Sequence, residues 1–562
     1  MRENYFLEII KTLSQKKYSK KHVNQLKIKL CAQYSMKHIP TDIEIMLHAT
    51  PAQLTLIKRN LLTKPVRSMS GVAPIAVMAA PFKCPHGKCI FCPGGPKSEF
   101  GNVPQSYTGR EPSTMRAIRA EYNPYIIVFN RLEQFIVSGH MPNKAEIIVQ
   151  GGTFPALPKE YQQEFVTAIY QALNDFSRLF FKNNDMNIQK IKKFFELPGC
   201  VGDESRKLRI HKKICAVQKK TTLHKEQKKN ETAAIRCVGL TIETKPDWGF
   251  AEHGNAMLEL GVTRIELGVQ SVYEEPLKLC NRGHTIADTQ KSIRQLRDLG
   301  FKLNFHYMLG LPGVTKEMES VGLRQLFNNS AYQPDMLKIY PCMVMKGTPL
   351  YELWKAGKFI PMTTATAAEI IADFMKYVPV YCRIMRVQRD IQTHMTEAGV
   401  DRTNLRQYIE KIMAERNIQT QEIRAREIER VLYKNPKFTF RKPSIKITEY
   451  DAGGQEFFIS LESNNALFGF VRMRFPEQQL RKEITKDSAI IRELHVYGSA
   501  TAFGKKGTVQ HRGLGKELMR TAENIAKKNS KNKIVVISAV GTREYYTKLG
   551  YKKEGVYMVK RI

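Results

Sequence analysis

Between residues 71 and 385, short runs rich in β-branched residues alternate with longer amphipathic segments. The runs are "APIAVMA", "AEIIVQGG", "RCVGLTIET", "VTRIELGVQS", "KLNFHYMLGLPG" and "MLKIYPCMV". Stretches such as "TIADTQKSIRQLRDLG" carry helical periodicity between them. Strand, helix, strand at this spacing predicts parallel strands with crossover helices, in a barrel or an open sheet. Residues 1–70 predict helices with basic outer faces, whose inner stripe is drawn from Val23, Leu26, Ile28 and Leu30. Residues 182–232 are lysine-rich with weak periodicity and predict an inserted, partly mobile basic segment. A charged helical connector is expected over 386–440, and 441–562 opens with alternating strands and ends helix, strand, helix, strand.

A chain of 562 residues holds several folded units. Charge narrows the partners: 89 Lys and Arg stand against 53 Asp and Glu, a net +36 that attracts a polyanion, nucleic acid first. The N-terminus carries charges throughout, unlike a secretory signal, and the longest apolar run, "GVAPIAVMAAPF", is shorter than the ~20 residues of a membrane span. The expectation is a cytoplasmic protein with no membrane partner. Seven of the ten cysteines lie singly, which fits a reducing compartment.

The other three, Cys84, Cys89 and Cys92, crowd into "FKCPHGKCIFCPGG". Their spacing alone leaves three readings. One is a zinc site completed by His86 or a distant cysteine; another is a plant-type ferredoxin cluster needing one more cysteine. The third is an active-site cluster, and placement after the first strand of a barrel-like pattern suits it, because such folds build sites on the loops beyond their strand ends.

A three-cysteine loop at this place resembles the radical S-adenosylmethionine enzymes. The resemblance implies a [4Fe-4S] cluster on Cys84, Cys89 and Cys92, with the fourth iron left for S-adenosylmethionine. That superfamily mostly spaces its cysteines C-x3-C-x2-C, one residue closer than here. "AEIIVQGGTFPALPKEY" is similar to the strand-end motif that holds the methionine amine, with Gly151 and Gly152 admitting close approach and Thr153 at the usual acidic position. Glu243, Gln270 and the "GLPG" at 310–313 stand where strands four, five and six would meet the adenosyl half.

Near the C-terminus, Gln510, Gly513 and Gly515 in "TVQHRGLGKELMRTAENIAKK" resemble the Q-x-x-G-x-G loop of GNAT acetyltransferases. Glycines at a helix N-terminus expose backbone N–H groups to a pyrophosphate. In that family a tyrosine of the last helix acts near the thioester as general acid, which implies Tyr545 or Tyr546.

The two resemblances in one chain, with "QSYTGREPSTMRAIRAEYNPY", "RIELGVQSVYE", "RELHVYG" and "QHRGLG", are together similar to the Elongator catalytic-subunit family of tRNA wobble-uridine modification enzymes, in its archaeal or bacterial form. The similarity runs from about residue 62 to the C-terminus. The fold it implies is α/β: a partial (β/α) barrel of radical S-adenosylmethionine type over 71–385, then a GNAT-type domain over 441–562, preceded by a basic helical region. The reaction it implies abstracts hydrogen from the methyl of acetyl-CoA, adds the carbon radical to the wobble uridine and hydrolyses the thioester to leave 5-carboxymethyluridine. It further implies that Lys159 touches acetyl-CoA in the barrel. Glu493, Leu494, His495 and Val496, with His511, Arg512, Gly513, Leu514 and Gly515, would hold it in the GNAT domain.

Partners implied are a tRNA anticodon stem-loop, an electron donor for the cluster, and accessory subunits or a second copy of the chain. The N-terminal helices, "RVQRDIQTHMTEAGV" and the insertion would contact tRNA phosphates. Gln421 stands where many of that family carry a cysteine ligand of a structural zinc. Two other functions fit parts of the chain: a protein lysine acetyltransferase with a structural cluster, and a non-catalytic tRNA-binding subunit. The complete cysteine loop and strand-end motifs weigh against the first, and the loop at 510–515 with the paired tyrosines against the second.

Overall fold

A computed structural model describes residues 2–61, 71–199, 202–498 and 513–562. Its centre is a seven-stranded sheet formed by β1 (Val72–Met78), β2 (Lys144–Gln150), β3 (Arg236–Thr244), β4 (Arg264–Gln270), β5 (Lys302–Leu309), β6 (Met336–Pro341) and β7 (Arg383–Arg386). These pair in sequence order and every pair is parallel. Helices cross between them, as parallel pairing requires. One follows Asn123, whose side chain accepts from Tyr125 and Ile126 N–H; another opens with a capping box on Thr285 and Asp288. Every residue of β4 is buried, as expected for the middle of a sheet covered on both faces.

The strand count corrects one expectation. Glu243, Gln270 and the GLPG loop close the third, fourth and fifth strands rather than the fourth, fifth and sixth. Between β2 and β3 the chain forms the long helix Lys159–Phe180 and the insertion, with no further strand of this sheet among the described residues.

The insertion is more regular than its composition suggests. It holds the helices Ile188–Phe194, Glu204–Val217 and Leu223–Asn230. Ile210 and Ile214, one helical turn apart, are buried, as is Ile191. Asn230, wholly enclosed, accepts from the Cys237 N–H at 2.7 Å and donates to Asn174 at 2.9 Å, tying the segment to β3. Lys192 donates to the Ala49 carbonyl at 3.2 Å, joining it to the N-terminal helices.

Those helices, Arg2–Gln15, Lys20–Gln33, Asp42–His48 and Pro51–Leu61, enclose a core of their own. Val23 and Leu30 enter it and Leu26 packs at its rim, but Ile28 is exposed. Lys27 is buried in its place, its ammonium 3.2 Å from Asp42. The aliphatic stem of lysine covers apolar surface while the charge finds a partner, a substitution that hydropathy alone does not reveal.

After the connector helices Leu405–Glu415, Ile423–Arg426 and Ile428–Lys434 comes a second sheet. It comprises β8 (Ser444–Asp451), β9 (Gln455–Ser463), β10 (Ala466–Arg474), β11 (Ser488–Val496), β12 (Lys533–Val536), β13 (Lys552–Glu554) and β14 (Tyr557–Arg561), in the order β8-β9-β10-β11-β12-β14-β13. All its pairings are antiparallel except β11 with β12. Among the described residues no helix is long and apolar enough to cross a membrane.

Candidate active site

The C-terminal ends of the barrel strands carry the predicted residues. Beyond β1, Cys89 and Cys92 are buried and Cys84 is half-buried. The Ser106 N–H donates to Cys92 Sγ at 3.2 Å, Gln105 Oε1 lies 3.1 Å from the same sulfur, and His86 Nε2 is 3.3 Å from Cys89 Sγ. Burial, helped by Cys92, pushes the Cys84 thiol up to about 11; burial and Cys89 push Cys92 up as well. Cys84 and Cys92, whose thiols resist ionisation, need a cationic partner to become ligands. Among the described residues no three His, Cys, Asp or Glu converge on the position of a single ion. An iron–sulfur cubane, with one thiolate per iron, suits this donor set.

Gly151 and Gly152, at φ +122° and +102°, turn the chain beyond β2. A Cβ on Gly152 would stand 3.2 Å from Gln105 Cβ, so the strand end lies flat against the cysteine-bearing segment. Gly151 lies behind, its Cβ position 3.3 Å from Ala79, while Gly152 and Thr153 face the cavity. Glu243 accepts from Tyr107 Oη at 3.3 Å and Gln150 Nε2 at 3.4 Å; burial and Glu266 push its carboxyl up to about 7. Gln270 has a φ of +65°, and its buried Oε1 has no hydrogen-bond partner. An unpaired acceptor at a strained strand end is a place for a polar ligand. These features fit S-adenosylmethionine. Lys159 is not brought to the site: it opens its helix after Pro158 and is exposed, away from the cavity lining.

The second half of the site comes from the C-terminal sheet. Along one edge β11 pairs with β10 as far as Val496↔Gly469; along the other its pairing with β12 stops at Ile491↔Val536. Glu493, Leu494, His495 and Val496 therefore lie where the two strands have parted, which leaves backbone groups for an extended ligand. The Glu493 side chain itself is committed inward, accepting from Arg472 Nε at 2.9 Å with Lys302 3.6 Å away. His495 stacks on Phe470, centroids 5.9 Å apart.

Gly513, at φ +87°, caps the helix Leu514–Lys528, and Leu514 and Gly515 form its first turn. A Cβ on Gly515 would lie 2.6 Å from Tyr545 Oη. Burial pushes the Tyr545 phenol up to about 12 and that of Tyr546 higher, so both are protonated donors at neutral pH. Gln510, His511 and Arg512 lie outside the described residues.

The two halves share one cavity of about 1260 Å³. It is lined by Cys84, Cys89, Cys92, Gly152 and Gln270 at one end and by Val496, Gly515 and Tyr545 at the other. Sequence reasoning missed its middle. Glu266 pairs there with Lys338, with His306 at 2.9 Å and with Arg264 at 3.7 Å; burial opposes its charge, but Lys338 and His306 hold it ionised. The signal was available: Arg264 and Glu266 alternate at the start of the buried strand RIELGVQ.

Four family profiles match in order: the ELP3 N-terminal domain over residues 2–69, the Radical SAM superfamily over 81–321, the Radical_SAM C-terminal domain over 334–415 and the Acetyltransferase (GNAT) family over 424–551. A "tRNA uridine(34) acetyltransferase" of Methanocaldococcus infernus is 41% identical over 559 residues, covering 97% of this chain and 96% of that one. "Elongator complex protein 3" of Mus musculus is 37% identical over 551 residues, covering 96% and 93%. The chain belongs to the Elongator complex protein 3 family. A solved family member, the archaeal Methanocaldococcus infernus Elp3 with an N-terminal deletion, superposes with a TM-score of 0.71 at 36% identity, covering 88% of this chain and all of that one. Membership in the Elongator complex protein 3 family joins a radical S-adenosylmethionine barrel to a GNAT domain in one chain, the pairing that the shared cavity expresses physically.

Proposed function

We propose that this chain modifies the wobble uridine of tRNA, drawing the new carbon group from acetyl-CoA to form 5-carboxymethyluridine. The observation that carries the reading is the continuity of the cavity: an end lined by Cys84, Cys89 and Cys92 and an end lined by Val496, Gly515 and Tyr545 open onto the same space. Cys84, Cys89 and Cys92 would hold a [4Fe-4S] cluster, which when bound supplies the electron that cleaves S-adenosylmethionine. Gly152 and Thr153 would admit the methionine end of that cosubstrate, with Gly151 turning the strand end behind them, and Glu243 and Gln270 would orient the remainder. The parted edge at 493–496 and the helix N-terminus at 513–515 would hold acetyl-CoA. Tyr545 and Tyr546 keep their protons and can donate to the thioester sulfur. The wobble base must leave its stack to enter such a cavity, and the Arg386 and Arg389 guanidinium groups that line it suit a phosphate nearby.

The test is anaerobic incubation of reconstituted protein with tRNA, S-adenosylmethionine, acetyl-CoA and a reductant, followed by nucleoside analysis. New 5-carboxymethyluridine, abolished by Cys89→Ala with tRNA binding retained, is expected. Acetyl-lysine without modified nucleoside would establish the protein acetyltransferase instead.

A further inference from the structure

One cation stands against the thiol end of the cavity that the assignments above leave unused. Arg282 follows the short helix Glu274–Leu279, its backbone N–H held by the Leu277 carbonyl at 2.9 Å. Its guanidinium is fixed from two sides. Nη2 donates to the Gly268 carbonyl at 3.0 Å, and Nη1 points at Cys89 Sγ, 3.7 Å away. Gly268 is what lets it lie there, because a Cβ at that position would stand 2.4 Å from Nη2.

No carboxylate among the described residues pairs with Arg282, and its buried Nε–H has no partner. Of the other basic groups nearby, Lys88 and Arg389 act on Cys92, and Lys245 is paired with Asp247 at 3.2 Å, which leaves Arg282 as the guanidinium directed at Cys89. Arg282 is thus a whole positive charge, fixed in place and uncompensated, aimed at one ligand sulfur in a partly water-excluded site.

We propose that Arg282 sets the reduction potential of the cluster held by Cys84, Cys89 and Cys92. Reduction adds one electron, and no atom, to a centre already bound by three anionic thiolates. A fixed cation within reach of a ligand sulfur stabilises that added charge more than it stabilises the oxidised centre, and enclosure enlarges the difference. Arg282 is a positioning residue in this scheme. The inference rests on reading the three cysteines as cluster ligands.

The experiment is a potentiometric titration of the full chain, reconstituted anaerobically with iron and sulfide. Dithionite is the reductant, S-adenosylmethionine and acetyl-CoA are left out, and the reduced cluster is followed by electron paramagnetic resonance. Arg282→Gln at wild-type iron content should lower the reduced-to-oxidised ratio at a fixed poise about tenfold, a midpoint more negative by ~59 mV for one electron. Arg282→Lys, which keeps the charge, should recover most of the shift. Where Arg282→Gln does not take up iron, Gly268→Ala is read instead: displacing the guanidinium should move the midpoint in the same direction. A wild-type midpoint in a loaded Arg282→Gln, or in Gly268→Ala where that variant is used, overturns this inference alone. A wild-type chain that takes up no iron overturns the cluster reading and this inference with it.

Discussion

Arg492 on β11 grips Asp335, the residue before β6, with two hydrogen bonds of 2.7 Å, and neither side chain is exposed at all. The pair joins the C-terminal sheet to the barrel sheet. Arg492 also donates to Glu456 at 2.9 Å and to the Phe301 carbonyl at 2.9 Å, while Arg472 reaches Asp335 at 3.5 Å. Charges buried at this cost contribute little net stability over an apolar pair, but they accept only one geometry. What they hold constant is the distance between the thiol end of the cavity and the acetyl-CoA end.

Removing one partner leaves uncompensated charge. Asp335→Ala takes one carboxylate from both Arg492 and Arg472, leaving them Glu456 and Glu493 and one buried positive charge uncompensated, and should destabilise the chain by roughly 3–5 kcal/mol. Differential scanning calorimetry of the full chain should register a clearly lowered melting temperature; an unshifted one would show that the network is dispensable.

A second member of the network gives a pH dependence. Burial alone would raise the Glu493 carboxyl, but Lys302 and Arg472 pull it from 4.5 down to about 2. A depressed carboxylate contributes stability that is present above its unfolded value and is lost as pH falls through the folded one. The advantage of wild type over Glu493→Gln should therefore be full at neutral pH and shrink as pH falls from 4.5 towards 2. Thermal unfolding of both proteins across that window measures it, and a constant gap would refute the assignment.

The local half of this site was legible and the long-range half was not. The cysteine loop, the glycine pair after β2 and Gly513 with Gly515 announce themselves because their chemistry lies in contiguous residues. Arg282 does not, since it meets Cys89 from 193 residues away. Nor does the bond between Arg492 and Asp335, which depends on how two sheets pack. Lysine misled twice by composition. Lys27 is buried while Ile28 is exposed, and the lysine-rich insertion forms packed helices because Ile210, Ile214 and Asn230 anchor its inner side.

The two tyrosines of the last helix can be separated. Tyr545 directs its hydroxyl to the Gly515 turn, whereas Tyr546 packs its ring against Tyr551 with centroids 5.9 Å apart. Tyr545→Phe should lower acetyl-CoA thioester turnover by about 10²-fold, the lower range for a positioned proton donor, with acetyl-CoA affinity little changed. Tyr546→Phe should cost less turnover and more thermal stability. The reverse ranking would assign the donor to Tyr546.

Finally, the net charge of +36 makes a quantitative demand on tRNA binding. Lys21 and Lys29 are exposed on the helix Lys20–Gln33, and neither has an ion-pair partner among the described residues. Each phosphate contact releases counterions, so affinity should fall linearly on a log–log plot against salt. Replacing both lysines by alanine should weaken binding uniformly across tRNA species and reduce the magnitude of the slope by about 1 per lysine. Fluorescence anisotropy over a salt series measures both quantities. A slope unchanged in the double variant would move the tRNA contact away from this helix, towards the insertion that Lys192 joins to the Ala49 carbonyl or the arginines lining the cavity.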